Sequence, residues 1–315
     1  MNNFKKKKNY FFTYLVGVIM GSVDIIPGIS GGTIAFITGI YYDLLKSIDR
    51  FSIKKLVRGQ FKLFWSDING PFLVSLSLGI VSGIFFLSFI IVYLFAHHPI
   101  STNSFLFGII LGTFFQFVRL IKNKKIDDYI FLLISLTLSI SLAQLNSFDV
   151  EPTPIYLFFC SAFAISAMIL PGISGAMIFL ILGVYNEVLF VIQNSIKVLF
   201  NFSLENFFNI YSKVLSILLG IIFGLKIFSK FLVWLFNYRK RKTFLILTGL
   251  VGGSLPKLWP FKNHLNLDNL NSLFTSKEGL MVFKAIEVSE GGFFIFAGLI
   301  LILAFNGLQK PIEYF

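Results

Sequence analysis

The sequence predicts an all-α polytopic membrane protein of two inverted repeats, each a re-entrant broken-helix hairpin followed by three transmembrane helices. Composition is the first observation: 56% of the 315 residues are hydrophobic and 13% are charged, about half the charged share of a typical globular chain. Long apolar segments are the second, since about 20 apolar residues cross a bilayer. A repeated proline–glycine motif is the third.

Ten apolar segments follow one another, and each is predicted to be a helix or a half-helix. They lie at residues 10–26, 28–45, 72–96, 104–118, 129–146, 154–170, 172–190, 213–236, 243–256 and 291–308. Proline removes a backbone donor and glycine adds backbone freedom. The breaks near residues 27 and 171 therefore predict two hairpin tips, each lying between two half-helices.

The two tips repeat one another. Residues 27–31 are Pro-Gly-Ile-Ser-Gly, and the same five residues recur 144 positions later at 171–175. Flanking residues match at the same offset: Gly39 with Gly183, Tyr41 with Tyr185, and Asp43 with Glu187. The chain is therefore interpreted as a single membrane domain of two homologous halves, residues 10–146 and 154–308.

Basic residues indicate how the halves are oriented. Lysine and arginine are concentrated at residues 5–8, 46–62, 119–125 and 239–242, and the positive-inside rule places such clusters in the cytoplasm. All four fit if residues 10–45 form a hairpin that returns to its own side. Each half then crosses three times and both termini are cytoplasmic. Inverted repeats of this kind place substrate sites at the repeat interface.

A competing topology lets residues 10–45 cross the bilayer as one broken helix, which would place the basic residues of 46–62 outside. The segment 257–289 is the weakest point of the preferred topology, because its four lysines are placed outside. The net charge of +12 is attributed to cytoplasmic loops and anionic headgroups, so no nucleic-acid partner is expected. With one cysteine and three histidines, no metal and no cofactor are expected.

The broken tips are the candidate substrate site. Backbone amides freed at a helix break persist in a membrane only when they are buried in protein or line a cavity, and helix starts attract anions such as phosphate. The alternative is that the motif only allows tight packing of helices. The candidate substrate-binding residues are Pro27, Gly28, Ser30, Gly31, Gly32 and Thr33 in the first tip, and Pro171, Gly172, Ser174 and Gly175 in the second.

Four charged residues complete the predicted site. Asp24 lies deep in an apolar half-helix, where acids commonly relay protons or bind ions; its counterpart at offset 144 is Met168. Asp43 and Glu187, at the far ends of the hairpins, are further ion-coupling candidates or else ordinary solvated carboxylates. Lys226 lies ~15 Å from the nearest basic cluster. It is predicted to neutralise the phosphate or Asp24, or else to lie in a wet vestibule without a ligand.

These motifs, together with Gly253-Ser254-Leu255 before Trp259-Pro260, resemble the polyprenyl-phosphate transporter family over nearly the whole chain. The resemblance implies a flippase, with no catalytic residues, that returns undecaprenyl phosphate from the outer to the inner leaflet of the bacterial cytoplasmic membrane. The lipid would there be reused for cell-envelope and peptidoglycan precursors. The partners implied are this lipid and the membrane.

Two other functions stay open from the sequence. An undecaprenyl-pyrophosphate phosphatase has a similar tip, in which an arginine follows the serine. Here Gly31 and Gly175 follow Ser30 and Ser174, and no histidine lies in a membrane segment to act as a base. The other function is transport of a different small anion, and a slot open sideways to lipid would distinguish the lipid substrate. The sequence leaves the driving force and the oligomeric state undetermined.

Overall fold

The computed structural model describes residues 9–24, 30–121, 125–142, 144–200, 204–261 and 277–308, and the regular structure in these ranges is entirely helical. A π-helical turn, Gly83–Leu87, separates α6 from α7, and a 3-10 turn, Leu255–Leu258, follows α14. The α-helices are α1 (Tyr10–Val23), α2 (Gly31–Ile37), α3 (Tyr41–Asp49), α4 (Ile53–Val57), α5 (Phe61–Asp67), α6 (Gly70–Ser82), α7 (Ser88–His97), α8 (Pro99–Leu120), α9 (Ile126–Leu142), α10 (Pro154–Ile169), α11 (Gly175–Ile181), α12 (Tyr185–Phe200), α13 (Leu204–Tyr238), α14 (Lys240–Gly253) and α15 (Lys277–Leu308).

Several helices in the described ranges are long and apolar enough to cross a membrane. Three qualify by length and composition alone: Gly70–Leu87, Pro99–Leu120 and Phe207–Tyr238. A fourth is obtained if α11 and α12, which meet at a bend of 114°, are counted as one span. The structure is therefore that of a polytopic helical membrane protein.

Some helix boundaries differ from those expected from the sequence. The apolar segment 72–96 is interrupted by the π-helical turn, and α13 has 35 residues, so at 1.5 Å per residue it extends beyond a ~30 Å bilayer core. The last helix begins at Lys277 rather than near residue 291. Part of the segment 257–289 is therefore helical.

The two hairpins have the same backbone turn after their second half-helix. Gly39 follows α2 with a φ of 75°, and Gly183 follows α11 with a φ of 72°. In both turns the next amide bonds back five residues, from Ile40 to Ala35 and from Val184 to Phe179. A left-handed residue after a helix ends it in this way, and glycine adopts that conformation without steric cost.

Glycines let the first half-helix of each hairpin pack closely on a neighbouring long helix. α1 packs along α6, and α10 packs along α13. A Cβ at any of four glycines, on α6, on the π-helical turn that follows it or on α13, would collide with backbone carbonyls of the hairpin. The matching contacts are Gly79 with Tyr14, Gly83 with Val18, Gly220 with Phe158 and Gly224 with Ala162. The contact residues of the first hairpin, Tyr14 and Val18, correspond to Phe158 and Ala162 of the second, each pair being 144 positions apart in the sequence.

Two further helix pairs join the first half of the chain to the second. α8 packs on α15, where Gly108 lies against the Ile295 carbonyl. α9 packs on α14, where Gly249 lies against the Leu132 carbonyl. Because each pair takes one helix from each half, the two halves form one interlocked body.

An aromatic cluster fixes the base of the first hairpin. Phe36 of α2 packs edge-on against Phe117 of α8, with ring centroids 4.8 Å apart, and its ring is tilted against that of Phe244 of α14 at 5.5 Å. Tyr41, at the start of α3, lies 5.5 Å from Phe36. Phe36, Tyr41 and Phe244 are fully buried, so the C-terminal end of the short helix α2 is anchored in the core.

A charged pair joins the starts of α9 and α14. Arg241 donates to both carboxylate oxygens of Asp128, at 3.1 Å from Nε and 2.5 Å from Nη2. Asp128 lies just before the apolar segment 129–146, and these hydrogen bonds from Arg241 hold the pKa of its carboxyl below the ordinary value. Lys125 and the basic cluster 239–242, both predicted to be cytoplasmic, therefore lie at the same end of the molecule.

Candidate functional site

The first tip is stabilised by its own polar side chains. Ser30 is the N-cap of α2, and its hydroxyl accepts a hydrogen bond from the Thr33 amide at 3.3 Å. Asp24 accepts from the Gly31 amide at 2.5 Å. Ser30 and Thr33 are 1% exposed, so this cap is buried. Two other candidates in this tip, Pro27 and Gly28, lie outside the described residues.

The two tips meet each other. The Thr33 hydroxyl accepts from the Gly172 amide at 2.9 Å, and the Ser30 hydroxyl donates to the Leu170 carbonyl at 3.3 Å. Gly32 lies against the Ile169 carbonyl, with no room for a Cβ. Candidate residues from segments about 140 positions apart therefore form one buried polar centre.

The second tip is a glycine turn followed by the start of α11. Gly172 has a φ of 84° and lies against the Leu250 carbonyl, which leaves no space for another residue type. Ser174 is the N-cap residue of α11 and is 6% exposed. Pro171 is also buried. The four predicted substrate-binding residues of this tip, Pro171, Gly172, Ser174 and Gly175, therefore lead along the chain into the start of α11.

The two tips differ in charge. Gly31 lies against the carboxyl group of Asp24, and the equivalent Gly175 lies against the side chain of Met168. The amide at the start of α2 therefore has an acidic partner. Among the residues described, none accepts a hydrogen bond from the amides of Gly175, Ala176 or Met177.

Lys257 begins the segment 257–289, which is predicted to lie outside. The 3-10 turn after α14 brings its ammonium to 2.9 Å from the sulfur of Met177, the third residue of α11. The available signal was the Gly-Gly-Ser-Leu-Pro sequence before it, a third break at the end of an apolar segment. The structure thus places a cation beside the second tip.

The other charged candidates contact other elements. Lys226 donates to the carbonyls of Asp49 and Phe51, at the end of α3, with a distance of 2.8 Å to Phe51. Glu187 accepts from Lys213 at 2.7 Å, and both side chains are about one-fifth exposed. Asp43 lies in the first turn of α3. A role for these three residues in binding or coupling stays a prediction.

An apolar cavity borders the second tip. It has a volume of about 440 Å³ and lies between α9, α10, α11, α13 and α14. Leu170 and Ile173, on either side of Gly172, line it. Its two hydroxyl groups are bonded within their own helices, Ser166 to Ala162 at 2.7 Å and Thr243 to Arg239 at 3.0 Å. The cavity therefore presents carbon surface.

The fold and the joined tips define a class, a polytopic helical membrane protein with a buried polar centre made by two broken hairpins. The chain belongs to the VCA0040-like family, described as undecaprenyl phosphate translocase-like, whose profile matches residues 20–273. The family resemblance found in the sequence motifs is therefore confirmed.

Two relatives carry the same printed name. The chain is 40% identical over 264 residues to the polyprenyl-phosphate transporter of Vibrio cholerae serotype O1, covering 83% of this chain and 81% of the relative. It is 30% identical over 259 residues to the polyprenyl-phosphate transporter of Staphylococcus aureus, covering 78% and 85%. No solved structure matches the chain.

Proposed function

We propose that this protein is a flippase that moves undecaprenyl phosphate from the outer to the inner leaflet of the bacterial cytoplasmic membrane, where the lipid is reused for envelope precursors. The observation that carries the proposal is the hydrogen bond from Gly172 to Thr33. It joins two broken tips inside a helical membrane protein, the arrangement in which transporters commonly bind anions. The names of the two relatives support a polyprenyl phosphate as the substrate.

The proposal includes two inverted repeats, supported by the directions of the helices. α1 runs parallel to α6, because Tyr14 and Val18 meet Gly79 and Gly83 in that order. By the same argument, α10 runs parallel to α13.

The two pairs run in opposite directions. α13 ends, and α14 begins, at the end of the molecule marked by Asp128 and Arg241, so α10 runs toward that end. α8 also ends there, since α9 begins at Ile126. α6 and α7 precede α8 and run away from that end, as α1 does. These directions support hairpins that enter the membrane from opposite sides.

The phosphate is assigned to the second tip. Lys257 supplies a positive charge there, while Ser174 and the amides at the start of α11 supply hydrogen-bond donors. Ser174 and Gly175 are buried, where unpaired donors are costly, and a lipid phosphate has the acceptors to pair them. At the first tip, the equivalent amide is already bonded to Asp24.

Asp24 is assigned to ion coupling. Its carboxyl group lies at the joined tips, so an incoming phosphate would repel it across a poorly hydrated space. Protonation of Asp24 would remove this repulsion, and release of the proton inside would link transport to the proton gradient. The hydrogen bond from Gly31 tolerates either form, because a neutral carboxyl still has an accepting oxygen.

Vesicles containing the purified protein test the proposal. Undecaprenyl phosphate is supplied in one leaflet, and its appearance in the other is followed with an added phosphatase that reaches the outer surface only. Wild-type protein should speed the transfer, and Ser30→Leu and Ser174→Leu should abolish it by filling the tips. Ser212→Leu, at an exposed position of α13, is the matched control.

The outcomes separate the candidate functions. Transfer no faster than in protein-free vesicles would contradict the proposal. Wild-type rates in both tip variants would place the site elsewhere and leave the tips as packing devices. In separate vesicles that contain undecaprenyl pyrophosphate, release of inorganic phosphate without added phosphatase would instead indicate an intramembrane enzyme.

A further inference from the structure

We infer that the apolar cavity beside the second tip is the binding site for the first isoprene units of the lipid. This inference rests on the proposed function. It assigns a place to the part of the substrate that the polar centre does not hold. The prenyl chain begins at the phosphate, so its site must adjoin the tip.

The second tip and the cavity adjoin each other. Leu170 and Ile173 line the cavity, and Ser174, the next residue, begins the tip's donor group. A phosphate bonded at the start of α11 would therefore have its first carbon atoms at the mouth of the cavity. No polar barrier separates the two, because Ile173 is buried and apolar.

The lining of the cavity suits hydrocarbon. The hydroxyls of Ser166 and Thr243 are committed to their own helices, so they offer no donor to a ligand. A phospholipid would bring ester carbonyls and a glycerol into this space, where they would lose hydrogen bonds. A prenyl phosphate has hydrocarbon directly after its phosphate and loses none.

The cavity has a buried side and an exposed side. Its floor is fully buried, with Leu247 1% and Leu250 2% exposed. Its rim includes Phe163, which is 68% exposed on a face that the bilayer would cover. A cavity with one buried side and one exposed apolar side is what a lateral opening to lipid requires, the feature expected for a lipid substrate rather than a small soluble anion.

The volume limits how much of the chain is held. At about 440 Å³, the cavity lies within the ~300–1,000 Å³ range of small-molecule sites. An undecaprenyl chain is much larger, so only the units nearest the phosphate fit, and the remainder stays in the bilayer. The cavity should therefore select the isoprenoid character of the chain without measuring its length.

Photolabelling tests the inference directly. The probe is a farnesyl phosphate with a diazirine on its second isoprene unit, added to wild-type protein in vesicles of phosphatidylethanolamine and phosphatidylglycerol. The label should appear on α10 and α13, near Phe163 and Phe228. Excess undecaprenyl phosphate should suppress it at least tenfold, and excess phosphatidic acid should leave it within twofold.

A matched pair of variants adds a second test. Ala167→Phe places a ring in the cavity and should reduce the labelling at least fivefold. Ala96→Phe, at an exposed position of α7, should leave it unchanged. Equal suppression by phosphatidic acid, or labelling outside the five helices that line the cavity, would overturn the inference. The competition by phosphatidic acid and the location of the label are both measured on wild-type protein, so these two results hold even if Ala167→Phe does not fold.

Failure of this inference is distinguishable from failure of the proposed function. If wild-type vesicles transfer undecaprenyl phosphate but the cavity is not labelled, only the tail site is wrong. If the cavity is labelled but no transfer occurs, the protein binds prenyl phosphates without moving them. In that case the flippase proposal is wrong.

Discussion

Thr33 and Gly172, 139 residues apart in the sequence, are joined by a 2.9 Å hydrogen bond from the Gly172 amide to the Thr33 hydroxyl. This bond connects the tips of two broken hairpins that belong to different halves of the chain. Because both residues are buried, neither group has water as a replacement partner. Movement of one hairpin relative to the other must break or rearrange this contact.

Replacing Thr33 with Val should therefore weaken the joint between the tips. The Gly172 amide would lose its acceptor, and a buried donor left unpaired costs about 1–3 kcal/mol. We expect a lower melting temperature in detergent and slower lipid transfer, with both restored by Thr33→Ser. The control is Thr137→Val. Thr137 is at an exposed position of α9, and its hydroxyl donates to carbonyls of the same helix. An unchanged melting temperature for Thr33→Val would show that the bond contributes nothing.

Asp24→Asn tests ion coupling. Asn keeps an oxygen that can accept from Gly31, so the cap should survive, but the group can no longer gain or lose a proton. We expect lipid binding to persist, turnover to fall and the response to an imposed pH gradient to disappear. Asp24→Glu should retain part of that response. Equal rates and equal pH profiles for wild type and Asp24→Asn would establish Asp24 as a structural cap only.

Lys257→Met tests the cation beside the second tip. Removing the charge while keeping an apolar side chain should lower transfer at least tenfold, because the phosphate loses its nearby countercharge. Lys257→Arg should retain much of the rate. The matched control is Lys197→Met, at an exposed position of α12. Wild-type transfer in Lys257→Met would remove this residue from the substrate site.

The topology can be tested with single cysteines in a Cys160→Ser background. Cys160 is buried, and the replacement removes the one native thiol. A cysteine at Asp149 should react with an impermeant reagent from outside. A cysteine at Lys54 should react only after permeabilisation. External labelling at both positions would rule out the re-entrant first hairpin.

Asp128→Asn should remove a pH-dependent part of the stability. Because hydrogen bonds from Arg241 lower the pKa of the Asp128 carboxyl, the pair stabilises the fold fully above the ordinary carboxyl pKa of about 3.9. That contribution falls as the pH drops through the lowered native value. Melting temperatures of wild type and Asp128→Asn should therefore differ at pH 7 and converge in acid. A difference that is constant with pH would contradict this account.

The site could be predicted from the sequence only where the repeat identifies it. The matching tips at residues 27–31 and 171–175 indicated one shared centre, and the Asp24–Met168 difference is visible at the same offset. The contact of Lys226 with the end of α3 was not predictable, because it depends on how α3 and α13 pack. The position of Lys257 beside the second tip was not predicted, because a 3-10 turn, rather than the regular spacing of a helix, sets the direction of its side chain. The cavity is formed by five helices and has no local sequence signal.

Inward transport of the lipid can be measured as the amount of undecaprenyl phosphate headgroup exposed on living cells. The measurement uses a bacterial host from which its own polyprenyl-phosphate transporters have been deleted, with a probe that binds exposed headgroups. Expression of the wild-type chain should lower surface exposure, and Ser174→Leu at the same protein level should leave it high. Equal surface exposure with wild type, with Ser174→Leu and with no protein would contradict inward transport of the lipid by this chain.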